Sequence, residues 1–142
     1  MKVGFYGDRD YCPTSKVKEL IFLMKDKIQD LEIVGTGAEW MKKNDEVMSY
    51  KGRRLGDVVR KFSLDMGIKY SEFPPVHFPY NSHCVLEPFN YGRPYKPFNY
   101  NIRDKQMVEY CDKMYLIVDR IRNVKYMIKQ LERFDKPYLV TK

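Results

Sequence analysis

The amino-acid sequence predicts an α/β domain of the Rossmann-like type, a three-layer sandwich with a five-stranded parallel sheet between helices. Short apolar segments alternate along the chain with segments in which apolar residues recur at helical spacing, as is typical of strands joined by crossover helices. In addition, the first two apolar segments end in glycine turns, at Gly7 and at Gly35-Thr36-Gly37. We expect residues 1–142 to form a single domain with strand order 3-2-1-4-5.

Short apolar runs bounded by turn-forming residues predict the strands. Gly7 follows the first run, and Pro74-Pro75 stop the third, because proline cannot donate a hydrogen bond to a neighbouring strand. The predicted strands are, in chain order, residues 2–6, 31–34, 68–73, 113–118 and 137–141.

Apolar residues spaced three and four positions apart predict helices between these strands. In the first helix Val17 and Ile21 share one face, and Thr14 or Ser15 is the expected N-cap. Gly67 ends the second helix, since glycine readily adopts the left-handed conformation that follows a helix. The predicted helices are residues 14–29, 55–66, 102–111 and 121–134.

Two segments interrupt the alternation, an insertion at about 39–54 and a long loop or arm at about 76–100. The arm is rich in proline and aromatic residues and lacks periodicity, and long ordered loops are usually functional or interaction segments. Its rings interleave with Arg93 and Lys96, which suits stacking on nucleotide bases or on a single strand, and equally suits contact between subunits. We favour a homo-oligomer formed through residues 76–100, because so apolar a stretch needs to be covered.

The composition is basic. A net charge of +7 favours an anionic partner, which can be a nucleotide, a nucleic acid or an acidic protein surface, and a solvated basic surface is the alternative. The cysteines, Cys12, Cys84 and Cys111, are odd in number and widely spaced, which indicates a reducing compartment. No apolar run approaches the roughly 20 residues of a membrane helix, so we expect a cytoplasmic protein with no membrane partner.

Several familiar site motifs are missing from the sequence. Neither the dinucleotide fingerprint G-x-G-x-x-G nor the P-loop motif G-x-x-x-x-G-K-[ST] occurs. His77 and His83-Cys84 have no fourth ligand at regular spacing, so they give little support to a zinc site. We therefore expect neither a metal nor a resident cofactor.

Candidate ligand-binding residues follow the predicted strands or begin the predicted helices, because the carboxyl ends of parallel strands meet at one edge of the sheet. Arg9 can pair bidentately with a phosphate, or as an exposed loop residue with Asp8 or Asp10. Arg103 can clamp a phosphate at the start of the third helix, or form an ion pair inside the protein. The candidate nucleotide- or phosphate-binding residues are Gly7, Asp8, Arg9, Gly35, Thr36, Gly37, Glu39, Gly56, Asp57, Arg103 and Asp104.

Other members of this set also have two interpretations. Gly35, Thr36 and Gly37 can present backbone N–H groups to an anion, or simply form a tight turn. Asp57 can accept a hydrogen bond from a ribose hydroxyl, or cap a helix and interact with its dipole. Asp57, Glu39 and Asp104 are the carboxylates near the predicted edge that could serve a reaction, and the sequence leaves open whether there is one.

The order of these short motifs resembles the SLOG superfamily, in particular its small YspA/YpsA-related members. Gly7-Asp8-Arg9-Asp10 is similar to the family's G-[ST]-R-D, and Gly35-Thr36-Gly37-Ala38 to its G-G-A turn. Leu55-Gly56-Asp57 is similar to its G-A-D step, and residues 100–107 to its G-x-x-R-N-x-x-M. Where the family has a second glycine turn after strand four, this chain has Asp119-Arg120-Ile121-Arg122-Asn123-Val124.

The resemblance implies a Rossmann-like fold, a nucleotide-derived ligand and a bacterial or phage source. We therefore expect the protein to bind a phosphorylated nucleoside at the carboxyl edge of the sheet, as a sensor, a sequestering protein or a hydrolase. Single-stranded nucleic-acid binding is an alternative, supported by the net charge of +7 and the basic aromatic loop. A non-catalytic phage effector that binds a host protein, in the host cytoplasm, is another.

Overall fold

The computed structural model describes residues 1–7, 11–37, 40–43, 46–49, 54–74, 83 and 97–141. The strands are β1 (Lys2–Gly7), β2 (Glu32–Gly35), β3 (Trp40–Lys43), β4 (Glu46–Ser49), β5 (Lys69–Glu72), β6 (Lys113–Ile117) and β7 (Tyr138–Thr141). The helices are α1 (Thr14–Lys27), α2 (Leu55–Asp65), α3 (Pro97–Tyr110) and α4 (Lys125–Arg133), with a 3₁₀ turn at Ile121–Val124 before α4.

The main sheet is parallel throughout and has the order β5-β2-β1-β6-β7. With the β3–β4 pair set aside, this confirms the predicted order 3-2-1-4-5. Strand β1 lies in the middle, and Gly4 pairs with Val34 of β2 on one side and with Met114 of β6 on the other. The carboxyl ends of β2, β1 and β6 are therefore neighbours.

Apolar side chains cover both faces of the sheet. On one face Phe5 and Ile33 pack in a buried cluster with residues of α1 and α2. On the other face Val34 and Leu116 pack with residues of α3 and α4. Successive residues of a strand point to opposite faces, so the run Ile33-Val34 buries one side chain in each cluster. This gives the predicted three layers.

The predicted insertion at 39–54 contains a β-hairpin. Strands β3 and β4 pair antiparallel, with Trp40 opposite Ser49 and Lys43 opposite Glu46. The sequence analysis placed no secondary structure in this segment. The hairpin forms its own two-stranded sheet, separate from the parallel one.

Helix α3 begins at Pro97, five residues earlier than predicted. The backbone N–H groups of the first helical turn donate no hydrogen bond within the helix. Proline, which has no backbone N–H, is therefore well placed there. Residues 97–100 are therefore helical, and their assignment to the arm in the sequence analysis was wrong. The rest of the segment 76–100, apart from His83, lies outside the described residues.

Two predictions about helix ends have different outcomes. Pro13 occupies the N-cap position of α1 with no side-chain cap hydrogen bond, so the expectation of a Thr14 or Ser15 cap was wrong. Gly67 follows α2 with a φ of +70°, which confirms its predicted left-handed conformation. Among the described helices, none combines the length and the apolar character that crossing a membrane requires.

Candidate functional site

A pocket of about 680 Å³ opens at the carboxyl edge of the sheet. Contributions come from the end of β1, the turn after β2, the starts of α2 and α3, and the segment that follows β6. The described residues that line it are Tyr6, Gly7, Tyr11, Thr36, Arg54, Leu55, Gly56, Tyr100, Asn101, Arg103, Asp104, Asp119, Arg120, Arg122, Asn123 and Tyr126.

The pocket brings together part of the predicted site. Its described lining includes Gly7, Thr36, Gly56, Arg103 and Asp104, from four separate segments of the chain. Three other predicted residues are described but do not contribute to the lining: Gly35, Gly37 and Asp57. Asp8, Arg9 and Glu39 lie outside the described residues.

Close packing explains why glycine occupies two of the lining positions. A Cβ atom on Gly7 would overlap the carbonyl oxygen of Ile117 and lie 2.7 Å from a methyl group of Leu55. A Cβ atom on Gly56 would overlap the carbonyl oxygen of Gly37. These contacts let the end of β1 and the start of α2 approach each other closely, so the glycines shape the pocket wall.

Gly35 and Gly37 face β5 instead. A Cβ atom on Gly35 would lie 2.6 Å from the Tyr70 hydroxyl oxygen, and one on Gly37 would lie 2.6 Å from a carboxylate oxygen of Glu72. Gly37 also has a φ of +75°, which suits glycine. Of the three residues in this predicted turn, only Thr36 lines the pocket.

Arg103 forms an internal ion pair. Its side chain is 2% exposed, and Nε donates to Oδ1 of Asp104 at 2.7 Å. Nη1 donates to the carbonyl oxygen of Phe73 at 3.3 Å, and the Tyr6 hydroxyl donates to Oδ2 of Asp104 at 3.0 Å. The Arg103 guanidinium also lies 5.6 Å from the centre of the Tyr6 ring and 5.5 Å from that of Tyr100. This is the internal pair that the sequence analysis weighed against a phosphate clamp.

The start of α2 forms part of the pocket lining. The first helical hydrogen bond runs from Val58 N–H to the Arg54 carbonyl at 3.0 Å, so the N–H groups of residues 55–57 precede it. Arg54 is the N-cap residue and is buried, and both Leu55 and Gly56 line the pocket. The prediction of Asp57 as the cap was wrong. Asp57 does lie in the first turn, where its negative charge interacts favourably with the positive end of the helix dipole.

The sequence analysis missed the segment after β6. Asp119, Arg120, Arg122 and Asn123 are exposed and line the pocket, and buried Val124 fixes the 3₁₀ turn on the core. The signal was available in the sequence, because the segment follows the fourth parallel strand and so belongs to the same edge. Arg120 and Arg122 stand there in place of a glycine turn.

Tyrosines are the second group that the sequence analysis missed. Tyr6, Tyr11, Tyr100 and Tyr126 line the pocket together with the arginines. Tyr6 directly precedes Gly7, so its position at the end of β1 was a usable signal. Guanidinium groups pair with phosphate or carboxylate, and aromatic rings stack on flat ligands, so this lining suits an anion that carries a ring.

Glu72 and His83 are described titratable residues that do not line the pocket. Burial raises the pKa of Glu72, although an ion pair with Arg60 at 3.0 Å opposes the increase. His83 stacks on Phe73 and Tyr110, and its Nε2 lies 3.2 Å from the Ser71 hydroxyl. Within the part of the chain that the structure describes, no three histidine, cysteine or carboxylate side chains converge as a metal site.

The resemblance to the SLOG superfamily stays a prediction. No protein-family model, no curated protein and no solved structure matches this chain.

Proposed function

We propose that the protein binds a phosphorylated nucleoside, or a related nucleotide-derived ligand, in the pocket at the carboxyl edge of its sheet. One observation carries the proposal: arginine and tyrosine side chains line a single pocket where parallel strands end. That edge is where open α/β sheets bind their ligands. The volume of about 680 Å³ falls within the range of small-molecule sites.

The phosphate end of the ligand is recognised by cationic groups. Arg120 and Arg122 are exposed on the segment after β6, and Arg54 approaches from the start of α2. Guanidinium groups bind phosphate oxygens through paired hydrogen bonds. The backbone N–H groups of Leu55 and Gly56 add donors at the positive end of the α2 dipole.

The base is recognised by aromatic rings. Tyr126 is 39% exposed on α4 and lines the pocket beside the arginine segment. Tyr11 and Tyr100 are half-buried in the lining and offer further ring surface. Stacking of a base on an aromatic side chain contributes about 1–3 kcal/mol.

Binding is the part of the proposal that this lining supports best, as in a sensor or a sequestering protein. A hydrolase would also need a positioned carboxylate as a base. Both oxygens of Asp104 already accept hydrogen bonds, from Arg103 and from Tyr6. Asp119 is the other carboxylate among the described lining residues.

Calorimetry with AMP, ADP-ribose and cyclic AMP tests the proposal. The double variant Arg120→Ala/Arg122→Ala should bind the preferred nucleotide at least tenfold more weakly than the wild type, because each charged contact contributes about 1.5–3 kcal/mol. The matched control is Lys129→Ala/Arg133→Ala, which removes the same charge from exposed positions of α4 outside the pocket. Equal weakening by both double variants, or no nucleotide binding by the wild type, would overturn the proposal.

Three further predictions, on oligomeric state, nucleic-acid binding and location, are also proposals. Residues 76–100 form a homo-oligomer contact, for which a monomer in light scattering would be the contrary result. The basic aromatic surface binds single-stranded nucleic acid as an alternative to nucleotides, and a strong salt dependence of that binding would support it. The protein acts in the cytoplasm, as a phage effector on a host protein if it is phage-encoded.

A further inference from the structure

The exposed face of α4 continues the cationic lining of the pocket. Resting on the proposed function, we propose that the nucleotide in the pocket belongs to a single strand of DNA or RNA, whose neighbouring phosphates lie along this face. Arg122 lines the pocket and belongs to the 3₁₀ turn that leads directly into α4. A strand therefore has a route out of the pocket along a surface of the same charge.

A row of cations runs along α4. Lys125, Lys129 and Arg133 recur at every fourth position, so they lie on one side of the helix, and we call them the α4 row. All three are exposed, while Met127 and Leu131 on the opposite side are buried in the core. The helix rises about 12 Å from the first cation to the last, with about 6 Å between neighbours. A row of this kind suits an extended polyanion better than a compact ligand with one phosphate.

The first two side chains of the α4 row can turn toward a ligand without breaking an existing contact. Among the described residues, Lys125 and Lys129 have no partner in an ion pair or a hydrogen bond. Glu132 is the one acidic residue within α4, and its carboxylate accepts a hydrogen bond from the Tyr138 hydroxyl at 3.1 Å, which ties it to β7. Asp135 follows the end of the helix.

Tyr126 joins the α4 row to the pocket. It is 39% exposed, lines the pocket and directly follows Lys125 in the chain. Aromatic side chains stack on any unpaired base, and phosphate contacts carry no sequence information. The bases of a duplex are already paired and stacked, so they cannot enter a pocket lined by tyrosines. The partner is therefore a single strand, bound with little preference for sequence.

Salt dependence measures how many phosphates the α4 row holds. For a single strand, the slope of log affinity against log salt concentration is about −0.7 for each phosphate that the protein neutralises. Lys129→Ala/Arg133→Ala should therefore make the slope for an octanucleotide shallower by about 1.4, and weaken its binding roughly tenfold or more at about 50 mM salt. AMP has one phosphate, which the pocket holds, so the AMP affinity of this variant should stay unchanged.

Fluorescence anisotropy with labelled adenylate octamers of DNA and of RNA gives the slopes and distinguishes the two kinds of strand, and calorimetry gives the AMP affinity. Lys27→Ala/Lys61→Ala is the matched control, because it removes two exposed lysines from α1 and α2, on the other face of the sheet. It should leave the octamer slope unchanged. Excess AMP should displace the octamer, since both use the pocket, and a duplex of the same sequence should bind more weakly.

The outcomes separate this inference from the proposed function. An octamer slope that Lys129→Ala/Arg133→Ala leaves unchanged, or that the control reduces as much, would overturn the inference and leave nucleotide binding standing. Octamer binding that excess AMP does not displace, or equal affinity for the duplex, would also overturn it, because the bases would then lie outside the pocket. Tighter binding to vesicles of anionic lipid than to the octamer would assign the α4 row to a membrane surface instead. Failure of both AMP and the octamer to bind would overturn the proposed function as well.

Discussion

Glu32, at the first position of β2, is a buried carboxylate away from the pocket. It is 3% exposed and accepts hydrogen bonds from the Tyr110 hydroxyl and from the Ser71 hydroxyl, the latter at 3.2 Å. Lys69 forms an ion pair with its other oxygen at 2.9 Å. Burial alone would raise the pKa of Glu32, but the hydrogen bonds from Tyr110 and Lys69 outweigh it and lower the pKa. The ionised form is therefore the one that these partners stabilise.

Tyr110→Phe should lower the free energy of unfolding by about 1–2 kcal/mol, because it leaves a buried carboxylate with one donor fewer. Tyr138→Phe is the matched control, since Tyr138 donates to the exposed side chain of Glu132 at 3.1 Å, and it should cost less than about 0.5 kcal/mol. Urea denaturation at pH 7 measures both. Similar losses in the two variants would contradict the buried role of Glu32.

The same network gives a pH dependence with a definite sign. Because the pKa of Glu32 is lowered in the folded protein, its stabilising contribution is complete above the unfolded-state pKa of about 4.3. The contribution is lost as the pH falls through the lower folded-state pKa. The difference between the wild type and Tyr110→Phe should therefore shrink below pH 4.

The start of α2 depends on close backbone packing. Gly56→Ala would place a methyl group on the Gly37 carbonyl oxygen, so the turn after β2 and the helix would have to move apart. Overpacking of this kind typically costs about 1–3 kcal/mol. Because Thr36 and Gly56 both line the pocket, nucleotide affinity should fall as well.

Gly67→Ala is the comparison for that substitution. Gly67 has a φ of +70°, and apart from its chain neighbours no described residue has an atom within 4 Å of an added Cβ, so we expect only backbone strain of about 1 kcal/mol to oppose alanine. It lies outside the pocket lining and should leave ligand affinity unchanged. Thermal unfolding measures the loss of stability in both variants, and calorimetry measures nucleotide affinity, which should fall only with Gly56→Ala. A change in affinity with Gly67→Ala would contradict this assignment.

The parallel strands could be predicted because each is a short apolar run buried on both faces, as Ile33-Val34 shows. The hairpin β3–β4 escaped prediction because its strands, Trp40–Lys43 and Glu46–Ser49, are short and mix apolar with charged residues. A signal was nevertheless present, since Asn44-Asp45 between them is a composition that favours a two-residue turn. The start of α3 was missed because Pro97 was taken as a loop residue rather than as a first-turn residue.

The position of the pocket could be predicted from the rule that parallel strands end at one edge, and Gly7, Thr36, Gly56, Arg103 and Asp104 line it there. The roles of single residues were left open. The sequence allowed Arg103 either a phosphate or an internal ion pair, and the burial of Arg103 and Asp104, which depends on how α3 packs in the fold, decides for the pair.

The reactivity of the Cys111 thiol can be used to measure unfolding of the whole molecule. It packs between α3 and the sheet at 1% exposure, and burial raises the pKa of its thiol to about 12. Only the thiolate reacts readily with alkylating reagents. Cys111 should therefore resist iodoacetamide at pH 8 in the native protein and react in proportion to the globally unfolded fraction at intermediate urea concentrations.

Peptide mass spectrometry resolves Cys111 from Cys12, which is half-buried near the surface. The Cys12 pKa is also raised by burial, but its partial exposure should allow faster labelling. Rapid labelling of Cys111 in the absence of urea would show that the packing of α3 on the sheet opens locally.

The pairing of β1 with β6 has a consequence for how the protein is made. Val3 pairs with Lys113, and the Lys2 backbone N–H donates to the Asp112 carboxylate at 2.7 Å, so the two sides of this contact are 110 residues apart in the chain. At a synthesis rate of about 5–20 residues per second, strand β6, the second neighbour of β1 in the sheet, is made roughly 5–20 s after β1. During that interval the future central strand has an unpaired edge, and its apolar side chains are only partly covered. We therefore expect the nascent chain to expose apolar surface, of the kind that chaperones bind, until the segment containing β6 has left the ribosome.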